Sequence, residues 1–515
     1  MRNISIAAVG LLLVTACGEP KDAAGWAKRA ASRSRADERI AALEQVRKAT
    51  GDRRAAVPYL VEVLQDAKVP RARGEAAQAL GEIGDPSAAA ALVAAIDPQE
   101  RNRDAVEANR HIAAALGALR AREAVDVLKR LTTSRDGYTQ VAAVDALGDV
   151  GDPAAVDTLV AIATSGTAEP FTAKKALLAL GRIGDAKAAP TVLRMLFEER
   201  DGVTFFPEAA FAAAQIGKPM AAPLLAVLEG KDGELQGWAR QRGVVPGALY
   251  AKAAQLLGDV AGEDAAPALV SKLGYRDAEP QLQLFVRVFA AESLGRLRAR
   301  EAVKPLAELA AREPDPTARD RYCDALAQIG DPAALPALKA AASGARSWEL
   351  RRGPLAAISS LGGAAERPEI AAARAACGAP CPRAEADALA GMEKSLAAAE
   401  ACHERTCWRG KLADGAAAVR DRAALELGRA GGKDDAKALV DAIVRPVDGD
   451  DALAARYHAV LALTWIAARA PLGPDGAGYA DQLDRTIAQE RGRTLTASVN
   501  EDALRLATRL RRAAR

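Results

Sequence analysis

The chain has 515 residues, half of them hydrophobic, 27% charged and only 4% aromatic, a balance too apolar for a disordered polypeptide. Its 70 Lys and Arg against 67 Asp and Glu leave a net charge of +3, so no global field draws it to nucleic acid. With 3 His, 6 Cys, 7 Phe, 5 Trp and 7 Tyr in such a length, the material for metal sites, acid–base pairs or an aromatic-lined cofactor pocket is thin, and no cofactor is expected.

In chain order, one positive charge at Arg2 precedes a short apolar run, Ile4 to Ala16, too short for a permanent membrane helix. It reads as a secretory leader. The run ends Leu13-Val14-Thr15-Ala16-Cys17, small residues just before a cysteine, and this resembles the lipobox of bacterial lipoproteins. The resemblance implies cleavage before Cys17, lipidation of its thiol, and anchoring of the chain to the cell envelope through that lipid. Gly18, rather than Asp, after the cysteine implies sorting to the outer membrane. Residues 17–36 carry little apolar periodicity and are expected to form a flexible tether. The later apolar run Ala459 to Ala468 is short and bracketed by Arg456 and Arg469, so it is not a membrane span.

Beyond the tether one sentence keeps returning. Ala79-Leu80-Gly81-Glu82-Ile83-Gly84-Asp85-Pro86 has counterparts at Ala146 to Pro153, Ala179 to Asp185 and Ala325 to Pro332. Leu-Gly pairs stand at 80–81, 116–117, 147–148, 180–181, 257–258, 294–295 and 427–428, with weaker copies at Leu43, Ala213, Ile358 and Leu463. Spacings between neighbours, such as 31 and 33 residues, are those of a helix pair and predict about a dozen units. Ala76, Leu80 and Ile83 place a narrow apolar stripe on a first helix, and Gly84 ends it, because glycine adopts the left-handed conformation freely. Asp85 then caps a second helix whose first position is Pro86. A single pair cannot bury its stripe, so neighbours must stack. The expected fold is all-α, a solenoid of antiparallel helix pairs.

The pattern resembles the HEAT repeat, in particular the short repeats of the phycobilisome-lyase-like family, from about Asp37 to the C-terminus. The expected boundaries are 1–16 for the leader, 17–36 for the lipidated tether, 37–370 for the repeat array, 371–412 for a cysteine-containing insert and 413–515 for the last repeats. The end of the chain, with Leu504, Leu506 and Leu510 among Arg505, Arg509, Arg511, Arg512 and Arg515, is expected to be a basic amphipathic capping helix.

Departures from the repeat nominate contact sites. Gly230 to Gly237 is a Gly-rich stretch leading to Trp238, Arg240 and Arg242, read as a loop and partner-binding candidate, the alternative being Trp238 folded back on its own repeat. Phe197 to Phe211 gathers aromatics expected to fill core. Cys377, Cys381, Cys402 and Cys407 flank a segment with Leu389, Met392 and Leu396 at helical spacing. In an exported chain these cysteines pair. An unbroken helix between them forces the local pairs 377–381 and 402–407, whereas a break at Gly391 gives 377–407 and 381–402; the unbroken apolar spacing favours the local pairs. Neither spacing is the C-x2-C of zinc sites. Cys323 falls on a core register and is expected to be a buried free thiol.

One HEAT-repeat enzyme family, the deoxyhypusine hydroxylases, holds iron through His-Glu dipeptides. Here only His403-Glu404 qualifies, and His111 and His458 lack that neighbour. No H-E-x-x-H, Walker A or G-x-S-x-G motif is present. The reading is a non-catalytic, envelope-anchored scaffold or assembly factor binding a protein or peptide partner on the solenoid surface. The alternative is an enzyme or metal-dependent factor centred on Cys377 to Cys407.

Overall fold

The computed structural model describes residues 19–66, 68–378 and 380–514; Cys17 and the leader lie outside the described residues. The chain forms two compact units, Met1–Ala179 and Leu180–Arg515. The first contains α1 (Ala23–Ser32), α2 (Ala36–Lys48), α3 (Val57–Gln65), α4 (Pro70–Ile83), α5 (Ala89–Ala95), α6 (Arg103–Ala118), α7 (Val125–Leu131), α8 (Gly137–Val150), α9 (Val156–Thr164) and most of α10 (Pro170–Ile183). The second continues with α11 (Ala189–Met195), α12 (Phe206–Ile216), α13 (Ala221–Leu228), α14 (Gly233–Gln241), α15 (Pro246–Val260), α16 (Ala266–Leu273), α17 (Pro280–Leu297), α18 (Val303–Arg312), α19 (Pro316–Ile329) and α20 (Leu335–Ser343). It ends with α21 (Trp348–Leu361), α22 (Arg367–Ala376), α23 (Arg383–Ala401), α24 (Arg405–Lys411), α25 (Ala417–Ala430), α26 (Ala436–Ile443), α27 (Asp450–Arg469), α28 (Pro474–Gln489) and α29 (Ala497–Ala513). This is the all-α solenoid the repeat pattern predicts. Among the described residues α2 to α28, with α14 set aside, form thirteen helix pairs.

The turn within each pair obeys the chemistry of its residues. Gly84, Gly151 and Gly330 end their helices with φ of 75°, 72° and 78°, where a β-carbon is strained. The aspartate after each glycine caps the entry to the second helix: Asp85 Oδ1 accepts from Ser87 N at 3.0 Å, Asp152 from Ala154 N at 2.9 Å and Asp331 from Ala333 N at 2.9 Å. A short 3₁₀ turn at Pro86, Pro153 or Pro332 then leads into that helix.

The Leu-Gly pair divides two tasks. The leucines at 80, 116, 147, 180, 257 and 294 are fully buried, while each adjoining glycine faces the next first helix. A β-carbon on Gly81 would lie 3.0 Å from Ala115 Cα, on Gly117 2.9 Å from Ala146 Cα, and on Gly295 2.9 Å from Ala325 Cα. First helices therefore pack backbone to backbone, with dispersion contacts that a side chain would forfeit.

Three expectations need correction. The segment 17–36 is not a tether throughout, because α1 buries Ala23, Ala27 and Ala30 against α2 and α3; alanine alone supplies its stripe. The Gly-rich loop is largely α14, an extra helix capped by Asp232, whose Oδ1 accepts from Leu235 N at 2.9 Å. The cysteine region is not an insert, since α23 and α24 occupy a place in the stack, with α23 packed on α21 and α25.

Candidate functional site

The first helices of early and late repeats in the second unit meet one another. Gln215 of α12 donates through Nε2 to the carbonyl of Arg505 in α29 at 2.9 Å. Arg509 Nη2 reaches back to the carbonyls of Ala214 and Asp259, at 3.1 and 3.3 Å, at the C-terminal ends of α12 and α15. The Asp259 carboxylate accepts from Arg296 at 2.7 Å and from Arg505 at 3.3 Å. Burial works to raise the pKa of Asp259, and Arg296, Arg505 and Arg509 together hold it below the ordinary range. Trp465 Nε1 of α27 donates to the Arg296 carbonyl at 2.9 Å, and Arg429 of α25 donates to that of Ala327. His458, buried in α27, lies 2.6 Å from Asp421 and 3.1 Å from Asp324 of α19. Burial disfavours its charge, but the two carboxylates push its pKa up to about 10, which makes it an imidazolium at neutral pH. The inner side of this unit is thus filled by its own last repeats. The basic C-terminal helix has Arg505 and Arg509 turned inward onto helix ends rather than presented to solvent.

The partner-binding candidates fall on α14 and the turn after it. Trp238 is only 9% exposed, with Arg242 over its ring at 4.6 Å and Arg194 at 5.8 Å. The indole is therefore folded back on its own unit, while Arg240 and Arg242 are exposed. Phe197 and Phe205 are buried, as expected of core filling. They flank a hairpin missed in the sequence, β1 (Glu199–Arg200) paired with β2 (Val203–Thr204). Its signal was the Asp201-Gly202 dipeptide, with φ of 51° and 76°.

Disulfides join Cys377 to Cys381 and Cys402 to Cys407, with α23 unbroken between them, so Gly391 makes no hairpin. Each staple closes a loop at one end of the same helix. Among the described residues the only grouping with metal-ligand proximity is Cys377, Cys381 and Glu385, whose sulfurs are bonded to each other. Cys323 is buried as a free thiol, and burial raises its pKa. His403 is exposed, and among the described residues no histidine belongs to a grouping with metal-ligand proximity.

Sequence reasoning passed over a cleft in the first unit. About 1000 Å³ in volume, it is lined by Ile96, Arg103, Arg110, Arg130, Arg135 and Tyr138, among others. Tyr138 is 73% exposed, with Arg110 5.1 Å from its ring centroid. Phe171, 61% exposed, holds the same second position of α10 that Tyr138 holds in α8. Asp136 caps Thr139 and pairs with Arg110, and Glu100 accepts from Ser134; among the described residues Arg103, Arg130 and Arg135 make no ion pair. Two exposed aromatics one repeat apart were the available signal.

A sequence profile for HEAT repeats matches residues 23–110, 101–173 and 284–362. No curated protein is a significant match. Similar solved structures include a Kap95p–RanGDP complex, at 13% identity and a TM-score of 0.48 over 93% of this chain and 70% of that one. Importin beta aligns at 12% identity and a TM-score of 0.43, over 95% and 76%. Human deoxyhypusine hydroxylase aligns at 18% identity and a TM-score of 0.22, over 60% and 95%. The chain carries HEAT repeats, stacked as an all-α solenoid.

Proposed function

We propose that this chain is a non-catalytic protein-interaction scaffold whose partner docks on the cleft bordered by α5, α6, α7 and α8. The observation that carries the reading is the cleft itself: an exposed tyrosine and three unpaired arginines around a hollow wide enough for a peptide segment. HEAT repeats supply extended surfaces of this kind. Lipidation at Cys17, with anchoring in the cell envelope and at the outer membrane, belongs to the same proposal and rests on the leader sequence.

A photo-crosslinking residue placed at Tyr138 or Gln99, both of which line the cleft, tests the docking surface in cells. One recurrent protein adduct at these sites, lost in the Arg103→Glu/Arg135→Glu variant, is the expected result. Adducts no different from those at Glu123, on the same unit but outside the cleft, refute it. Mass spectrometry of the purified chain tests the anchor: the expected N-terminus is Cys17 with diacyl or triacyl mass, and an unmodified Met1 overturns it.

A further inference from the structure

The contact between α29 and the early repeats of the second unit differs in kind from the packing elsewhere. The apolar cluster that holds α29, through Val499, Ala503, Leu506, Ala507 and Leu510, draws all its members from Ala398 to Leu510. None comes from α12, α15, α17 or α19. The closing contact consists instead of arginine, glutamine, indole and imidazolium donors set on carbonyls and on the carboxylates of Asp259 and Asp324. It is also incompletely paired, for Gln215 Oε1, Gln328 Oε1 and Arg429 Nε are buried there without a hydrogen-bond partner. Gln215 is 0% and Gln328 3% exposed. Buried polar atoms left unsatisfied are costly, and a polar contact with no apolar core can open without disturbing the cores on either side.

The surface covered in this way has a definite chemistry. The C-terminal ends of α12, α15, α17 and α19 carry the negative ends of four helix dipoles, and Asp259, Glu292 and Asp324 add carboxylates on the same helices. The donors now seated there show what it accepts. Arg505 and Arg509 stand at i and i+4 on one helix face, and a guanidinium fork suits paired carbonyl and carboxylate acceptors better than an ammonium does.

We propose that this inner face is a second binding surface, specific for an arginine-bearing helix of a partner protein, and that α29 is its built-in competitor. The partner presents arginines at i, i+4 spacing to the ends of α12 and α15, and the last repeats swing away with their own core intact. The cleft of the first unit takes no part, so this proposal stands or falls independently of the scaffold reading.

The test uses the full-length chain and a fluorescent peptide of residues 495–514 as the partner surrogate. In Arg505→Glu/Arg509→Glu, hydrogen exchange at residues 212–216 and 256–260 is expected to rise at least tenfold. The peptide is expected to bind this variant at least tenfold tighter than the unaltered chain, protecting those residues, and its Arg-to-Lys version to bind severalfold more weakly. If exchange does not rise, or rises while peptide affinity stays that of the unaltered chain, the proposal is overturned. Should the double variant fail to fold, Gln215→Ala removes one neutral bond and must move exchange and affinity in the same direction by a smaller factor; no movement overturns the proposal. Dimer formation by the opened variant in light scattering identifies a second copy as the occupant and overturns the assignment to a partner protein.

Discussion

Replacing His458 by Gln separates an electrostatic lock from simple packing. Both imidazole nitrogens face carboxylates, Asp421 at 2.6 Å and Asp324 at 3.1 Å, so three first helices, α19, α25 and α27, converge on one cation. The rise of its pKa from the ordinary 6.5 to about 10 corresponds to about 5 kcal/mol at full strength. Breaking a buried pair by removing one partner costs about 3–5 kcal/mol by the general rule, which brings the two figures together. Because the folded-state pKa is raised, this stabilisation is complete below pH 6.5 and is lost as pH climbs through about 10. The assay is urea unfolding of the second unit at pH 6, 8 and 10.5, monitored by tryptophan fluorescence, since Trp465 donates across the same contact. The variant is expected to be less stable by roughly 3–5 kcal/mol at pH 6, the gap closing to about 1 kcal/mol or less at pH 10.5. Groups that titrate in both proteins cancel from the difference. A gap that stays constant with pH refutes the imidazolium and leaves His458 as a neutral packing residue.

At the interface of α15 and α17, Gly258→Ala sets a β-carbon 2.7 Å from Ser293 Cα and is expected to cost about 1–3 kcal/mol in thermal or urea unfolding. Gly274→Ala, whose nearest new contact is 3.6 Å, is expected to change stability by less than about 0.5 kcal/mol. The bidentate Arg456–Glu490 pair, at 2.7 and 3.0 Å and buried, predicts a loss of about 3–5 kcal/mol in Arg456→Leu, mostly recovered when Glu490→Leu is added; a double-mutant cycle with no recovery contradicts it. Opening the disulfides at the two ends of α23 is expected to cost about 2 kcal/mol each from their short loops, and hydrogen exchange should speed up first at residues 383–401. Thiol alkylation of the unreduced, folded chain should leave Cys323 untouched, whereas unfolding exposes it.

The repeat was legible because its determinants are local. A leucine for the core, a glycine for the neighbouring helix and the Gly-Asp-Pro turn each act within a few residues, and together they fix element type, length and stacking partner. The local cysteine pairing was readable for the same reason, from the unbroken spacing of Leu389, Met392 and Leu396. Where a signal was weak in kind the reading failed: α1 buries only alanines, and Gly233 and Gly237 made α14 resemble a loop. Closure of the second unit lay beyond local reasoning, since Gln215 and Arg505 are 290 positions apart. The arginines at 505, 509 and 512 were noticed, but a sequence does not say what faces a charged stripe. The cleft in the first unit was missed because Tyr138 stands at a helix start, outside the motif that sets the register.

The glycine on each first helix also fixes how force passes through a stack. With backbones already touching at Gly81, Gly117 and Gly295, neighbouring first helices can pivot about that line but can neither approach further nor slide without collision. The second helices are shorter, and those from α3 to α22 carry no glycine, so their spacing is set by side chains, which can change rotamer. Within each unit the first-helix layer is therefore a nearly inextensible spine, and any change of curvature is taken up in the second-helix layer, as in a leaf hinge whose pin is a row of glycines.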